Sequence, residues 1–340
     1  MEPKKFLTAL RRTLFLLLTA LILVRISHIL VQKTVYGTQN DTILLKVGNF
    51  WDEPEDSYDV LAFGSSHMYC TLNPACLYEQ TGLRSYVLAT QQQPPIITYY
   101  YVREALKTQH PDVVIVEGNR FTHEDTPVNS GVAHDALAPY PMSLNKLQMI
   151  MQMRHEGRKE QYFVNLMLFH TRWKYLTEAD FTFELRNKND PLRGYMFFPQ
   201  VGESSSCQQS YDALPLPVAQ AHLDYLLKIQ ALTEEHGAKM VLLFAPFPMD
   251  DTSRGKLLTL HQFAQEHGIE VLDMNLEFDA IGLNGATDYC DSSHLNINGA
   301  EKATSRIGTY LLENCGLSPR PTDEVEWLES IQVYQAKKAE

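Results

Sequence analysis

Apolar positions along this chain follow two rhythms. Short unbroken runs bounded by turn formers occur at "YDVLAFG" (58–64), "SYVLA" (85–89), "DVVIVEGN" (112–119), "KMVLLFAP" (239–246) and "IEVLDMN" (269–275). Each reads as a buried strand. Between them lie stretches with helical spacing: 71–82, 94–110, 216–237, 251–268 and 296–316. Three of these close on a glycine that directly follows a polar or histidine residue, at Gly82, Gly237 and Gly268, as helix C-termini commonly do. Strand and helix therefore alternate, which predicts an α/β fold, a three-layer α/β/α sandwich around a parallel sheet.

The alternation fails in two places. Residues 121–215 are aromatic, polar and irregular, with candidate helices only at 144–156 and 159–176. They read as an insertion or cap. Residues 34–57 read as a polar stalk, and residues 317–340 as a charged, peripheral tail. The sandwich itself is expected over 58–316.

The amino terminus has a third rhythm. Lys4, Lys5, Arg11 and Arg12 precede an apolar run from Thr13 to Val31. As a helix that run spans roughly 28 Å, close to the hydrocarbon thickness of a bilayer. Arg25 and His28 lie near its far end, where they can snorkel to the interface. Basic residues ahead of the run predict a cytoplasmic amino terminus and an extracytoplasmic main domain, with residues 1–33 as a single-pass anchor. A cleaved signal peptide with its apolar region at Leu14–Val24 is the alternative, but the bulky residues that follow offer no small-residue cleavage site.

Composition narrows the function. The 340 residues carry a net charge of −12, which excludes the basic footprint of a nucleic-acid binder. Five cysteines without a CxxC support neither a zinc ribbon nor a thioredoxin-like motif. A local Cys70–Cys76 pair is compatible with export, though nothing in the spacing requires it. No cofactor motif is present. A metal held by His67, Asp291 and His294 is the weaker reading, because a structural site needs four ligands.

In open α/β sheets, sites form beyond the carboxyl ends of the strands. Two such ends carry chemistry. The first strand runs into Gly64-Ser65-Ser66-His67, and Asp291-Ser292-Ser293-His294 precedes the last helix. Serine needs an adjacent base, a histidine supplies one, and a carboxylate three residues earlier can orient its other ring nitrogen. Ser66, His294 and Asp291 are thus candidates for nucleophile, base and orienting acid. The competing roles are a helix N-cap for Ser66 and an Asx-turn for Asp291.

The pair resembles the SGNH/GDSL hydrolase superfamily. "FGSSH" aligns with its first block and "DSSHLNINGA" with its last. The resemblance implies a flavodoxin-like sandwich and a serine nucleophile at Ser66. It also implies oxyanion donors after the second and third strands. Asn119 in "VEGNRF" is the third-strand candidate. The second site, "ATQQQPP", lacks the family's glycine, leaving Gln92 or Thr90 to donate a backbone N–H. His67 lies beside Ser66 without an assigned role, either lining the pocket or opening the helix. Anchoring and insertion are similar to the branch that accompanies membrane-bound O-acyltransferases, the alginate O-acetylation and D-alanyl transfer proteins. That similarity implies acyl esters, acetyl above all, of a cell-envelope polysaccharide or related polymer as substrate, and an O-acyltransferase as partner. The alternative is a catalytically weak scaffold that presents polymer to such a partner. "FHTRWKYLT" (169–177) mixes cations with aromatics, which suits either a carbohydrate contact or the packing of a cap helix.

Overall fold

The computed structural model describes residues 3–30, 43–163, 165–182, 190–205 and 212–340. Among the described residues there are five strands, β1 (Val60–Gly64), β2 (Ser85–Ala89), β3 (Val113–Glu117), β4 (Lys239–Phe244) and β5 (Glu270–Asp273). All are parallel, in the order β2-β1-β3-β4-β5. Each of the apolar runs read as strands forms one.

The helices are α1 (Pro3–Leu30), α2 (Ile43–Phe50), α3 (Ser66–Thr71), α4 (Pro74–Thr81), α5 (Pro95–Ala105), α6 (Ser130–Leu137), α7 (Leu144–Gln152), α8 (Asn165–Phe169), α9 (Glu178–Thr182), α10 (Gln220–Glu235), α11 (Asp251–Glu266), α12 (Phe278–Ile281), α13 (Ile297–Asn314) and α14 (Val325–Ala339).

The strands are buried on both faces, so their side chains divide by alternation between two cores. Leu61, Phe63, Val114, Val116, Leu242 and Phe244 face one layer, with Tyr101 of α5, Ile229 of α10 and Leu260 of α11. Val60, Ala62, Val113, Ile115, Val241 and Leu243 face the other, with Met68 of α3, Leu77 of α4 and Ile307 of α13. The result is the expected three-layer α/β/α sandwich. Its strand order reverses direction between β1 and β3, where the crossover connections leave to opposite sides and open a crevice.

The structure departs from the sequence reading in four places. A short helix not read from the sequence, α3, precedes the helix expected over 71–82. The latter forms as α4: Asn73 caps it, accepting from the N–H groups of Ala75 and Cys76, and Gly82 closes it in the left-handed conformation. The helix expected over 159–176 is broken into 3₁₀ turns at Lys159–Tyr162 and His170–Tyr175 around α8.

Residues 43–50, expected in a polar stalk, form α2, whose Leu45, Val47 and Phe50 are buried. The tail is not peripheral either. Trp327 and Tyr334 of α14 are buried, with Trp327 stacked on Tyr78 at 4.8 Å and lying under the Arg193 guanidinium at 4.1 Å. The charged residues of α14 had masked an apolar stripe, Trp327, Ile331 and Tyr334, at helical spacing.

Part of the insertion returns to the sheet. The Val87 N–H of β2 donates to the Arg193 carbonyl, and Gly194 passes so close to the Val87 carbonyl that any Cβ would overlap it.

Helix α1 carries a 24-residue segment, Lys4–Ser27, long and apolar enough to cross a membrane. The side chain of His28 lies outside the described residues. Cys70, Cys76, Cys290 and Cys315 are free thiols, so the local Cys70–Cys76 pair is absent.

Candidate active site

The chain leaves β1 at Gly64, whose Cα packs against the Glu117 side chain at the end of β3. A Cβ at position 64 would sit well inside van der Waals contact with that side chain, so only glycine allows the approach. Ser65 follows as the N-cap of α3. Its hydroxyl accepts from the His67 N–H at 3.4 Å and donates to Glu117 Oε2 at 2.8 Å, and its own N–H donates to the same oxygen at 3.2 Å. The N-cap role considered for Ser66 therefore belongs to Ser65, and Ser66 is left free at the first helical position.

Glu117 also binds the third strand's loop. Its Oε1 accepts from the Asn119 N–H at 2.5 Å. One buried carboxylate thus ties residue 65 to residue 119 across the crevice. Burial raises the Glu117 pKa, and the donors from Ser65 and Asn119 pull it back. Asn119 itself is buried, and neither its Oδ1 nor its Nδ2 has a partner among the described residues. A buried amide without partners is costly.

Asp291 and His294 lie in the loop before α13. Asp291 Oδ1 accepts from the N–H groups of Ser293 at 2.8 Å and His294 at 2.9 Å, while Oδ2 lies 2.8 Å from His294 Nδ1. A carboxylate on Nδ1 makes that nitrogen the donor and leaves Nε2 as an acceptor. Nε2 lies 2.8 Å from Ser66 Oγ, so the serine hydroxyl donates to it. Partial burial works to raise the Asp291 pKa, but the two backbone donors and the imidazole hold its carboxyl below the usual range.

The loop is braced from both sides. Asn296 caps α13 through the N–H groups of Asn298 and Gly299, and Ser204 of the insertion donates to the Ser292 carbonyl at 2.9 Å.

His67 stacks flat on His294, with centroids 4.9 Å apart and planes at 21°, and its other side meets Phe247 at 4.7 Å. Stacked rings present their nitrogens in parallel, which does not suit joint ligation of one metal. Burial and the neighbouring His294 ring push the His67 pKa down to about 3, so the ring is neutral near physiological pH.

At the end of β2 the Thr90 N–H donates to the Gly64 carbonyl at 3.2 Å and also contacts Gln93 Oε1 at 3.1 Å. That commitment removes Thr90 as a free donor. Gln92 adopts φ +50°, in the left-handed region that favours glycine, and no protein acceptor takes its N–H among the described residues. The glycine missing from "ATQQQPP" is thus replaced by a residue in a conformation that glycine usually supplies. Gln92 and Arg120 line a cavity of about 300 Å³, together with Tyr225 and Arg154. Ser66 and His294 do not line it.

Sequence reasoning singled out Ser66, Asp291, His294, Asn119, Gln92 and His67. The structure brings the first three into one hydrogen-bonded chain, leaves Asn119 with an unpaired buried amide, and stacks His67 on His294. It adds Ser65 as cap and Glu117 as clamp. The signal for Glu117 was in the sequence, as an acid ending the otherwise apolar run "VVIVE".

No protein-family model and no curated protein matches the chain. Among solved structures, it is similar to a gut microbial diltiazem-metabolizing enzyme at 11% identity and TM-score 0.33, over 78% of this chain and 48% of that one. It is also similar to an acetyl xylan esterase from the rumen bacterium Butyrivibrio proteoclasticus at 9% identity and TM-score 0.32, over 78% and 66%. The chain spans about half the length of the first and just under two thirds of the second.

Proposed function

We propose that the protein is a membrane-anchored, extracytoplasmic serine esterase or O-acyltransferase of the SGNH type. Its substrates are acyl esters, acetyl above all, of a cell-envelope polysaccharide or related polymer, and a membrane-bound O-acyltransferase is its partner. The observation that carries this reading is the Ser66–His294–Asp291 chain, with both links at 2.8 Å.

Ser66 Oγ attacks the acyl carbonyl carbon while His294 Nε2 takes its proton, and Asp291 stabilises the imidazolium. The carbonyl oxygen becomes an oxyanion, held by the Ser66 N–H, the Asn119 amide and the Gln92 N–H. Collapse breaks the ester C–O bond, and His294 returns its proton to the departing alkoxide. In the second half, water or a sugar hydroxyl attacks the acyl-serine with His294 again as base, which releases either acid or a new ester. Hydrolysis and transfer share the first half and differ only in the acceptor.

Fluorophosphonate labelling and p-nitrophenyl acetate turnover of the full chain test this reading. Turnover is expected to fall by about 10⁴-fold in both Ser66→Ala and His294→Ala, and labelling to vanish in Ser66→Ala. Wild-type labelling no stronger than that of Ser66→Ala, in the presence of the partner as well as alone, returns the protein to the scaffold class.

A further inference from the structure

The segment read as a candidate carbohydrate contact lies against the membrane helix. Phe169, the last residue of α8, is buried with Leu30 at the end of α1, and Leu166 and Leu176 pack on the same small core. Arg172 donates to the carbonyls of Ile29 and Leu30, at 3.5 and 3.3 Å, and pairs with Asp180. Arg172 thus caps the last turn of α1.

The outward side of this segment carries large apolar side chains among polar ones. Trp173 is 64% exposed, Tyr175 74%, Phe181 54% and Met167 48%. These side chains do not serve the core that holds the segment in place. Lys174 lies 5.9 Å from the Trp173 ring centroid, so a cation accompanies the aromatics.

Height along α1 decides what covers them. The apolar run starts at Thr13, just past Arg12, and about 30 Å of hydrocarbon takes roughly 20 residues of helix. The far boundary then falls within a turn of Ile29 and Leu30, which puts Arg172 and its neighbours at headgroup level. Tryptophan and tyrosine prefer that level, where the ring is half in apolar surroundings and its polar edge stays wet.

We infer that the α8–α9 segment is a membrane-surface element, with Trp173, Tyr175 and Phe181 set into the headgroup region of the bilayer that α1 crosses. The occupant is lipid, recognised by apolar area and by cations that suit anionic headgroups. The inference rests on α1 as an uncleaved anchor and is independent of the chemistry at Ser66.

The chain carries its own probes. It has three tryptophans. Trp327 is buried, and Trp51 packs against Phe50, Tyr101 and Tyr140 in the core. Only Trp173 is in reach of lipid. The full-length chain is reconstituted in vesicles of phosphatidylcholine and phosphatidylglycerol, with bromine either high or low on the acyl chains.

Shallow bromine is expected to quench the emission more than deep bromine, and Trp173→Phe to abolish that difference. If the chain floats with the vesicles but wild type and Trp173→Phe are quenched alike, the surface element is refuted while the anchor stands. A polymer or protein occupant then takes its place. If the chain does not float, both the anchor and the surface element fail.

Discussion

The two halves of the candidate site are built differently. The nucleophile half is made by the core: Gly64, Ser65, Glu117 and Asn119 are all buried, and one carboxylate ties two strand ends together. The base half is made by a loop. The Asp291 side chain is 53% exposed, and its partners lie within three residues of it. Position in the first half is inherited from the sheet. In the second half it comes from a local hydrogen-bonded turn that carries its own orientation. Disturbing the first half should therefore cost both stability and rate, and disturbing the second should cost rate alone.

The largest effect that sharpens this contrast is expected at Asn119. Removing one oxyanion donor commonly lowers kcat by about 10²–10³-fold, and Asn119→Ala should do so. Asn119 is the exception within the core-built half: its amide has no partner among the described residues to abandon, so stability should hold. Unchanged kcat with a normal urea midpoint would remove Asn119 from the oxyanion site.

Asp291→Asn comes next, with a loss below the roughly 10⁴-fold of a buried triad acid. Water near this exposed carboxylate moderates the loss relative to a buried acid. Its unfolding midpoint should match wild type, and a clear drop would show that the loop is not self-contained.

Glu117→Ala tests the core-built half. It strands the N–H and hydroxyl of Ser65 and the N–H of Asn119, at a cost of about 2–3 kcal/mol in unfolding free energy, and turnover should fall with it. Denaturant titration that finds wild-type stability would break the comparison.

The smallest effect concerns His67. The unfolded ring titrates near ~6.5, whereas the folded ring is held at about 3. Between those values the unfolded chain binds the extra proton. Stability associated with neutral His67 is therefore intact above the unfolded pKa and is lost as pH falls through the window. His67→Phe should reduce the destabilisation between neutral pH and about pH 5 by up to ~1 kcal/mol, since the half-buried ring keeps some contact with water. Parallel urea midpoints for the two proteins across that range would rule the effect out.

Much of this was legible in the sequence, for physical reasons that differ by element. The strands were readable because both faces of a central parallel sheet are buried, so their residues form unbroken apolar runs. The base loop was readable because Asp291 and His294 are three residues apart and need no long-range contact to meet. Assigning Ser65 and Ser66 required the fold, since two adjacent hydroxyls differ only in which one Glu117 reaches across from β3. Choosing between the backbone donors Gln92 and Thr90 also required the fold, since it turns on the positive φ of Gln92 and the committed N–H of Thr90, which residue identity hides. Helix α14 was missed because charged and polar residues interrupt its sequence while a few large side chains do the packing, and α2 because its apolar residues form one short run between polar stretches.

The burial of Leu30 against Phe169 and Ala138 also bears on reach. An anchor joined through a flexible leash lets its domain sweep a volume, and the local concentration of substrate falls with the length of the leash. An anchor whose last turn is packed into the domain permits no such sweep. In a bilayer Ser66 would then travel at one fixed altitude, searching a thin lamina rather than a hemisphere. Esters held at that altitude would be met often, and those above or below it hardly at all.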